Sequence, residues 1–99
     1  MADELTRLWQ KHQQEALPEV EVPAICKGEL WILDEVIGGC VAYYLEDGRV
    51  LDSRRLGILR DCRADLDRLL PELEGPAIDY FSRLEALAQL ILHASDAAQ

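Results

Sequence analysis

The 99-residue sequence contains no asparagine, and its three cysteines include no Cys-x-x-Cys pair. The lack of asparagine excludes N-glycosylation, which needs an Asn-x-Ser/Thr acceptor. An odd number of cysteines without paired spacing fits neither a disulfide framework nor a zinc ribbon. We therefore expect reduced thiols, no resident metal ion and no cofactor.

Basic residues and long apolar runs are also scarce. Ten lysines and arginines face 19 aspartates and glutamates, which gives a net charge of -9. Such a charge disfavours binding to nucleic acid or to an anionic membrane surface. The longest uncharged runs, residues 36–45 and 86–95, are about half the roughly 20 residues that a membrane-spanning helix needs. The sequence thus predicts neither a nucleic-acid partner nor a membrane partner.

Common catalytic motifs are missing. There is no phosphate-binding glycine loop, no His-Glu-x-x-His zinc motif and no Gly-x-Ser-x-Gly elbow, so we predict no catalytic residue and no enzymatic activity. The sequence begins Met-Ala-Asp-Glu, without the basic stretch and apolar run of a signal peptide. We expect a cytoplasmic protein.

What the sequence does have is a high apolar content with helical spacing. Hydrophobic residues make up 49% of the chain, enough for one core and one domain over residues 1–99. Apolar residues recur at helical intervals in four segments, which predicts a mainly α fold. We expect a small bundle of about four helices that covers roughly 60–70% of the chain.

Three of these segments have clear boundaries. Residues 3–16 form one amphipathic helix, with His12 in its apolar stripe. Residues 52–70 form the most regular stripe and are predicted to be the central core helix, capped by Asp52. Pro71 ends it, Gly75 lies in the connection, and Pro76 starts a last helix to about residue 94 that folds back as an antiparallel hairpin. The central stripe comprises Ile58, Leu59, Cys62, Leu66, Leu69, Leu70 and Leu73.

The remaining region allows two interpretations. Residues 20–33 show short alternation and an apolar run, which predicts a β-hairpin or an extended segment. Residues 29–52 follow helical spacing, with Asp34 as a candidate N-cap and Gly48 as the C-cap. The same residues also fit a three-stranded antiparallel meander in an α+β fold, because Asp47-Gly48 is a typical hairpin turn.

Five residues could carry histidine or thiol chemistry. His12 lies in an apolar stripe and is expected to be partly buried with one hydrogen-bond partner. His93 lies in a last helical turn, where a positive charge is favoured. Cys40 and Cys62 are expected to pack as small apolar residues. Cys26, predicted in a turn beside a lysine, is the candidate reactive thiol.

Carboxylates concentrate between residues 15 and 35, where one lysine faces them. An acidic surface around aromatic residues is typical of electrostatically steered protein partners. We therefore expect a non-enzymatic protein-interaction module: an inhibitor, immunity protein, adaptor or regulatory subunit. The sequence also allows a homo-oligomer. The alternative function is a thiol- or metal-dependent site that combines Cys26 with a histidine. The candidate partner-binding residues are Glu19, Glu21, Glu29, Asp34, Glu35 and Tyr43.

Overall fold

A computed structural model describes residues 3–18 and 24–97. The described chain forms four α-helices and one short 3-10 turn, and it is 84% helical. This confirms the mainly α bundle and exceeds the helix content expected from the sequence. The elements are α1 (Glu4–Gln14), α2 (Ala24–Glu46), α3 (Ser53–Leu69), the 3-10 turn (Leu70–Glu72) and α4 (Pro76–Ala97).

Local signals in the sequence account for most helix boundaries. The side chain of Asp52 accepts a hydrogen bond from the backbone N–H of Arg55 at 2.7 Å, so the predicted N-cap of α3 is confirmed. Pro71 lies in the 3-10 turn that ends α3, and α4 begins at Pro76. Gly48 follows α2 with a φ of 74°, a left-handed conformation that glycine adopts without steric cost.

The prediction of extended structure was wrong. Residues 24–33, the described part of the expected hairpin at 20–33, belong to α2, and residues 19–23 lie outside the described chain. The meander at 29–52 is likewise replaced by α2 and a turn, and residues 3–18 and 24–97 contain no strand. Asp34 lies in the middle of α2 and caps nothing. The helical interpretation of residues 29–52 is confirmed up to Glu46.

The central helix of the bundle is α4, not α3 as predicted. α4 packs against α1, α2 and α3, and it carries Phe81 and Leu84, both fully buried. α3 and α4 form the expected antiparallel hairpin, and Arg60 in the middle of α3 donates to Asp96 near the end of α4 at 2.8 Å. The fully buried large side chains are Leu30, Ile37, Val41, Leu59, Leu66, Phe81, Leu84, Leu87 and Ile91.

The buried face of α3 is rotated from the predicted stripe. Leu59, Leu66 and Leu69 are buried as expected, but Ile58 is 38% exposed and Leu56, which lies outside the predicted stripe, is buried. Because α3 packs against both α2 and α4, its buried face must serve two neighbours. The predicted stripe was centred on the apolar residues of one helix, so it could not show which of them face α2 and which face α4.

The bundle is two helix layers thick, since its Cα atoms span 17 Å along the shortest axis and packed helices lie 8–10 Å apart. Each helix therefore keeps one face that no other layer covers. No helix in the described ranges is long and apolar enough to cross a membrane.

Candidate functional site

The most strongly connected polar cluster of the protein joins α1, α2 and α4 around one carboxylate. Nε2 of His12 lies 3.0 Å from Oδ1 of Asp34, and the hydroxyl of Tyr80 donates to the same oxygen at 3.0 Å. His12 is 5% exposed, and Tyr80 is also buried. The prediction of a buried histidine with one partner is confirmed, and the partner is a residue 22 positions away.

Aromatic rings close this cluster on two sides. The His12 ring stacks on Trp9 at 6.0 Å between centroids, and it lies 4.3 Å from the ring of Tyr80. Burial, followed by the neighbouring Asp34 carboxylate, raises the pKa of the Tyr80 hydroxyl, so this group stays protonated and remains a donor. Trp9 also passes over Gly38 of α2, where a Cβ would lie 3.6 Å from the indole ring.

The cluster is built to hold helices together. The Oδ1 atom of Asp34 can accept both hydrogen bonds when His12 carries a proton on Nε2. The buried Nδ1 of His12 has no partner among the described residues. Three surface clefts formed by described residues, with volumes of about 290, 520 and 250 Å³, are lined by other side chains. The geometry therefore supports a buried network that specifies helix packing.

Two ion pairs tie the ends of α1 to the bundle. Near its C-terminal end, Glu15 binds Arg83 of α4 through two contacts, at 2.8 and 3.2 Å. These hydrogen bonds lower the pKa of the Glu15 carboxyl. At its N-terminal end, the capping residue Asp3 binds Arg49, which follows α2. α1 is thus held along its whole length, although it is short.

A second titratable cluster lies between α3 and α4. Glu85 of α4 is half-buried and faces Asp67 and Arg63 of α3. Burial, and then the neighbouring carboxyl of Asp67, raises the pKa of Glu85 to about 7. In the folded protein this carboxyl therefore keeps its proton to a higher pH than an isolated glutamate does.

We expect this raised pKa to make folding stability depend on pH. Glu85 binds its proton more tightly in the folded state than in the unfolded state. The resulting increase in the free energy of unfolding is therefore fully present below about pH 4.5 and is lost as the pH rises towards 7. Solvent screening limits the change to about 1 kcal/mol. Urea unfolding at several pH values should show that Glu85→Gln removes this decline, whereas Glu74→Gln on the exposed connection keeps it. Parallel pH profiles for the native chain and Glu85→Gln would contradict the assignment.

The residues of the thiol alternative lie in separate places. Cys26 occupies the first turn of α2, not a turn between elements, and packs half-buried against the core. It precedes Asp34, the partner of His12, by eight helical residues, or about 12 Å along the axis. His93 follows Tyr80 by 13 residues, about 20 Å along α4. The residues in the described ranges contain no group of three or more His, Cys, Asp or Glu side chains that could hold a metal ion.

The other two cysteines lie in the interface of α2 and α3. Cys40 is buried and Cys62 is half-buried against the core. Burial raises the pKa of both thiols, so both remain in the unreactive thiol form. The prediction that they pack as small apolar residues is confirmed.

The six candidate partner-binding residues fall in different environments. Glu19 and Glu21 lie outside the described residues. Glu29 pairs with Arg68 of α3 at 2.5 Å, and Asp34 belongs to the buried cluster. Only Glu35 and Tyr43 share an exposed side of one helix, the side of α2 that points away from the core, and they lie about 12 Å apart along its axis.

That side of α2, which we term the α2 outer face, carries the largest exposed apolar side chains of any helix. Trp31 is 57% exposed and Ile32 is 62% exposed. Ile32, Val36, Gly39 and Tyr43 follow one another at intervals of four, three and four residues, which aligns them along the helix. We call these four residues the α2 stripe. The α2 outer face consists of the stripe together with Trp31, Glu35 and Glu46.

Two details shape the α2 stripe. A Cβ atom at Gly39 would have no other atom within 4 Å, so packing within the chain does not require a glycine there. A glycine in the middle of a helix lowers the stability of the helix by about 1 kcal/mol relative to alanine. At the next turn, the guanidinium of Arg55 lies 4.0 Å from the centre of the Tyr43 ring. This cation–π contact holds the ring in place beside the gap at Gly39.

Sequence reasoning missed Trp31 and Ile32. Both residues were assigned to the apolar run of an expected hairpin. Because α2 begins at Ala24, they instead lie on the side of the helix away from Leu30, Leu33 and Ile37, which are buried in the core. The available signal was the run of four consecutive apolar residues at positions 30–33, which a helix with one buried stripe cannot bury completely.

Comparison with known proteins gives no relative. No protein-family model matches the chain, and no curated protein and no solved structure matches it.

Proposed function

We propose that the protein is a non-enzymatic interaction module, of the class of inhibitors, immunity proteins, adaptors and regulatory subunits, and that it binds a protein partner through the α2 outer face. The observation that carries this proposal is the exposure of Trp31 and Ile32 side by side on a helix whose opposite side forms the core. Large apolar side chains grouped on a surface and rimmed by polar residues are typical of binding sites.

The composition of the face supports a protein as its ligand. Trp31 and Tyr43 belong to the residue types that dominate binding energy at protein interfaces. Both lie on a regular helix, so little conformational entropy is lost when a partner covers them. Cytoplasmic location is part of the same proposal, since the acidic chain with free thiols suits a reducing compartment.

A photo-crosslinking experiment in cells tests the proposal. A photoreactive amino acid at position 32 should give one discrete adduct that disappears with Trp31→Ala, because the partner covers both positions. The matched control carries the same amino acid at Ser82, an exposed position of α4, and should give no such adduct. Identical adducts from both positions, or none from position 32, would contradict the proposed surface.

A further inference from the structure

The charge around the α2 stripe is asymmetric, and it constrains the partner. On one flank, Glu35 and Glu46 are exposed and form no ion pair with any residue in the described ranges. On the other flank, Arg54 of α3 is exposed and forms no ion pair with a residue in the described ranges, whereas two further arginines of α3 have carboxylate partners. Arg55 binds Asp52, and Arg68 binds Glu29. The unpaired charges that α2 itself carries along the stripe are therefore negative.

The length and spacing of the stripe match a helix. From Ile32 to Tyr43 it extends about 16 Å, or three helical turns. A partner helix repeats its apolar side chains at the same intervals of three and four residues, so its ridge can follow the stripe along its whole length. At the middle of the stripe, Gly39 leaves open space that a large side chain of such a helix can fill.

We infer that the partner's binding element is an amphipathic helix of about three turns, with an apolar stripe flanked by lysine or arginine and a large apolar residue opposite Gly39. This inference rests on the proposed function and specifies its ligand. A second copy of this chain fits the face less well. Each copy has a net charge of -9, so two copies repel each other.

Two synthetic peptides test the inference on the purified full chain. Both are 18-residue helices with leucines at intervals of four, three and four; one carries lysine beside the leucines, the other glutamate. In fluorescence anisotropy titrations at 0.15 M salt, where charges act over about 8 Å, the lysine peptide should bind at least tenfold more tightly than the glutamate peptide.

Charge variants of the chain locate the effect. The double change Glu35→Lys and Glu46→Lys should weaken the lysine peptide at least tenfold and strengthen the glutamate peptide. The matched control, Glu72→Lys with Glu74→Lys, alters the net charge by the same amount in the exposed segment before α4 and should change binding less than twofold. Gly39→Gln, whose Cβ would have no atom within 4 Å, fills the gap and should also weaken binding of the lysine peptide at least tenfold.

The outcomes separate this inference from the proposed function. Equal binding of the two peptides, or equal effects of the two double variants, would overturn the basic helix. Failure of both peptides while the crosslinker at position 32 still captures a partner would overturn the helix and leave the interaction module standing. A dimer in sedimentation experiments that Glu35→Lys strengthens would overturn it in favour of a second copy.

Discussion

Leu66→Ala is expected to lower the free energy of unfolding by about 2–5 kcal/mol. Leu66 is fully buried in the last two turns of α3, a helix that packs against α2 and α4. Its truncation removes apolar contacts and leaves a cavity that three rigid helices cannot easily fill. A small domain has only about 5–15 kcal/mol of stability, so this single change should remove a large part of it.

The matched control for this prediction is Ile58→Ala in the same helix. Ile58 belongs to the stripe expected from the sequence, but it is 38% exposed, so its truncation should cost less than about 1 kcal/mol. Urea unfolding of both variants makes the comparison. Similar losses at the two positions would show that the buried face of α3 has been assigned wrongly.

Asp34→Ala is expected to cost about 2–4 kcal/mol, the second largest effect. The change leaves the ring N–H of His12 and the hydroxyl of Tyr80 buried without their shared acceptor. Buried donors that lose their partner cost about 1–3 kcal/mol each, partly offset where water enters. α1 should loosen first, because His12 is its only buried polar contact to α2 among the described residues.

Glu35→Ala is the control, because it removes the neighbouring carboxylate from the exposed side of the same helix. Its effect on unfolding should stay within about 0.5 kcal/mol. Hydrogen exchange of the α1 amides adds a local measurement: exchange should accelerate in Asp34→Ala and stay unchanged in Glu35→Ala. If both variants unfold at the same denaturant concentration, the buried cluster contributes nothing to stability.

Helices α1, α3 and α4 could be predicted because each has one apolar side and clear boundary residues. Asp52 begins α3 and Pro71 ends it, and both act within one helical turn. Such signals depend on neighbouring residues in the chain, so they can be read without knowing the fold. Which helix lies at the centre depends on packing over long sequence distances, and that is why the central position of α4 was missed.

Residues 24–33 of α2 were misread for a physical reason, whereas the helical interpretation of residues 29–52 is confirmed up to Glu46. Residues 30–33 are all apolar, so this run fits neither a single helical stripe nor regular alternation. Gly38 and Gly39 weaken helical propensity further. Packing of Leu33 and Ile37 into the core overrides these local preferences. The unusual composition reflects the exposed face, because an ordinary surface helix would carry charged residues where Trp31 and Ile32 lie.

The buried cluster could be predicted only in part. The position of His12 in an apolar stripe indicated burial and one partner. Its partner, Asp34, belongs to α2 and lies 22 residues from His12 in the sequence. The second donor, Tyr80, belongs to α4 and lies 46 residues from Asp34. No local pattern connects these positions. Asp34, one of the carboxylates expected to bind a partner, instead lies half-buried in this cluster.

Fluorine NMR of the two tryptophans tests the central claim most directly, since Trp9 packs inside the bundle and Trp31 lies on the α2 outer face. With 5-fluorotryptophan at both positions, the resonance of Trp31 in the free chain should shift when H₂O is exchanged for D₂O. In the complex purified from the native host, this solvent shift should disappear for Trp31 and stay unchanged for Trp9. A Trp31 resonance that remains solvent-exposed in the complex would contradict the assignment of this face.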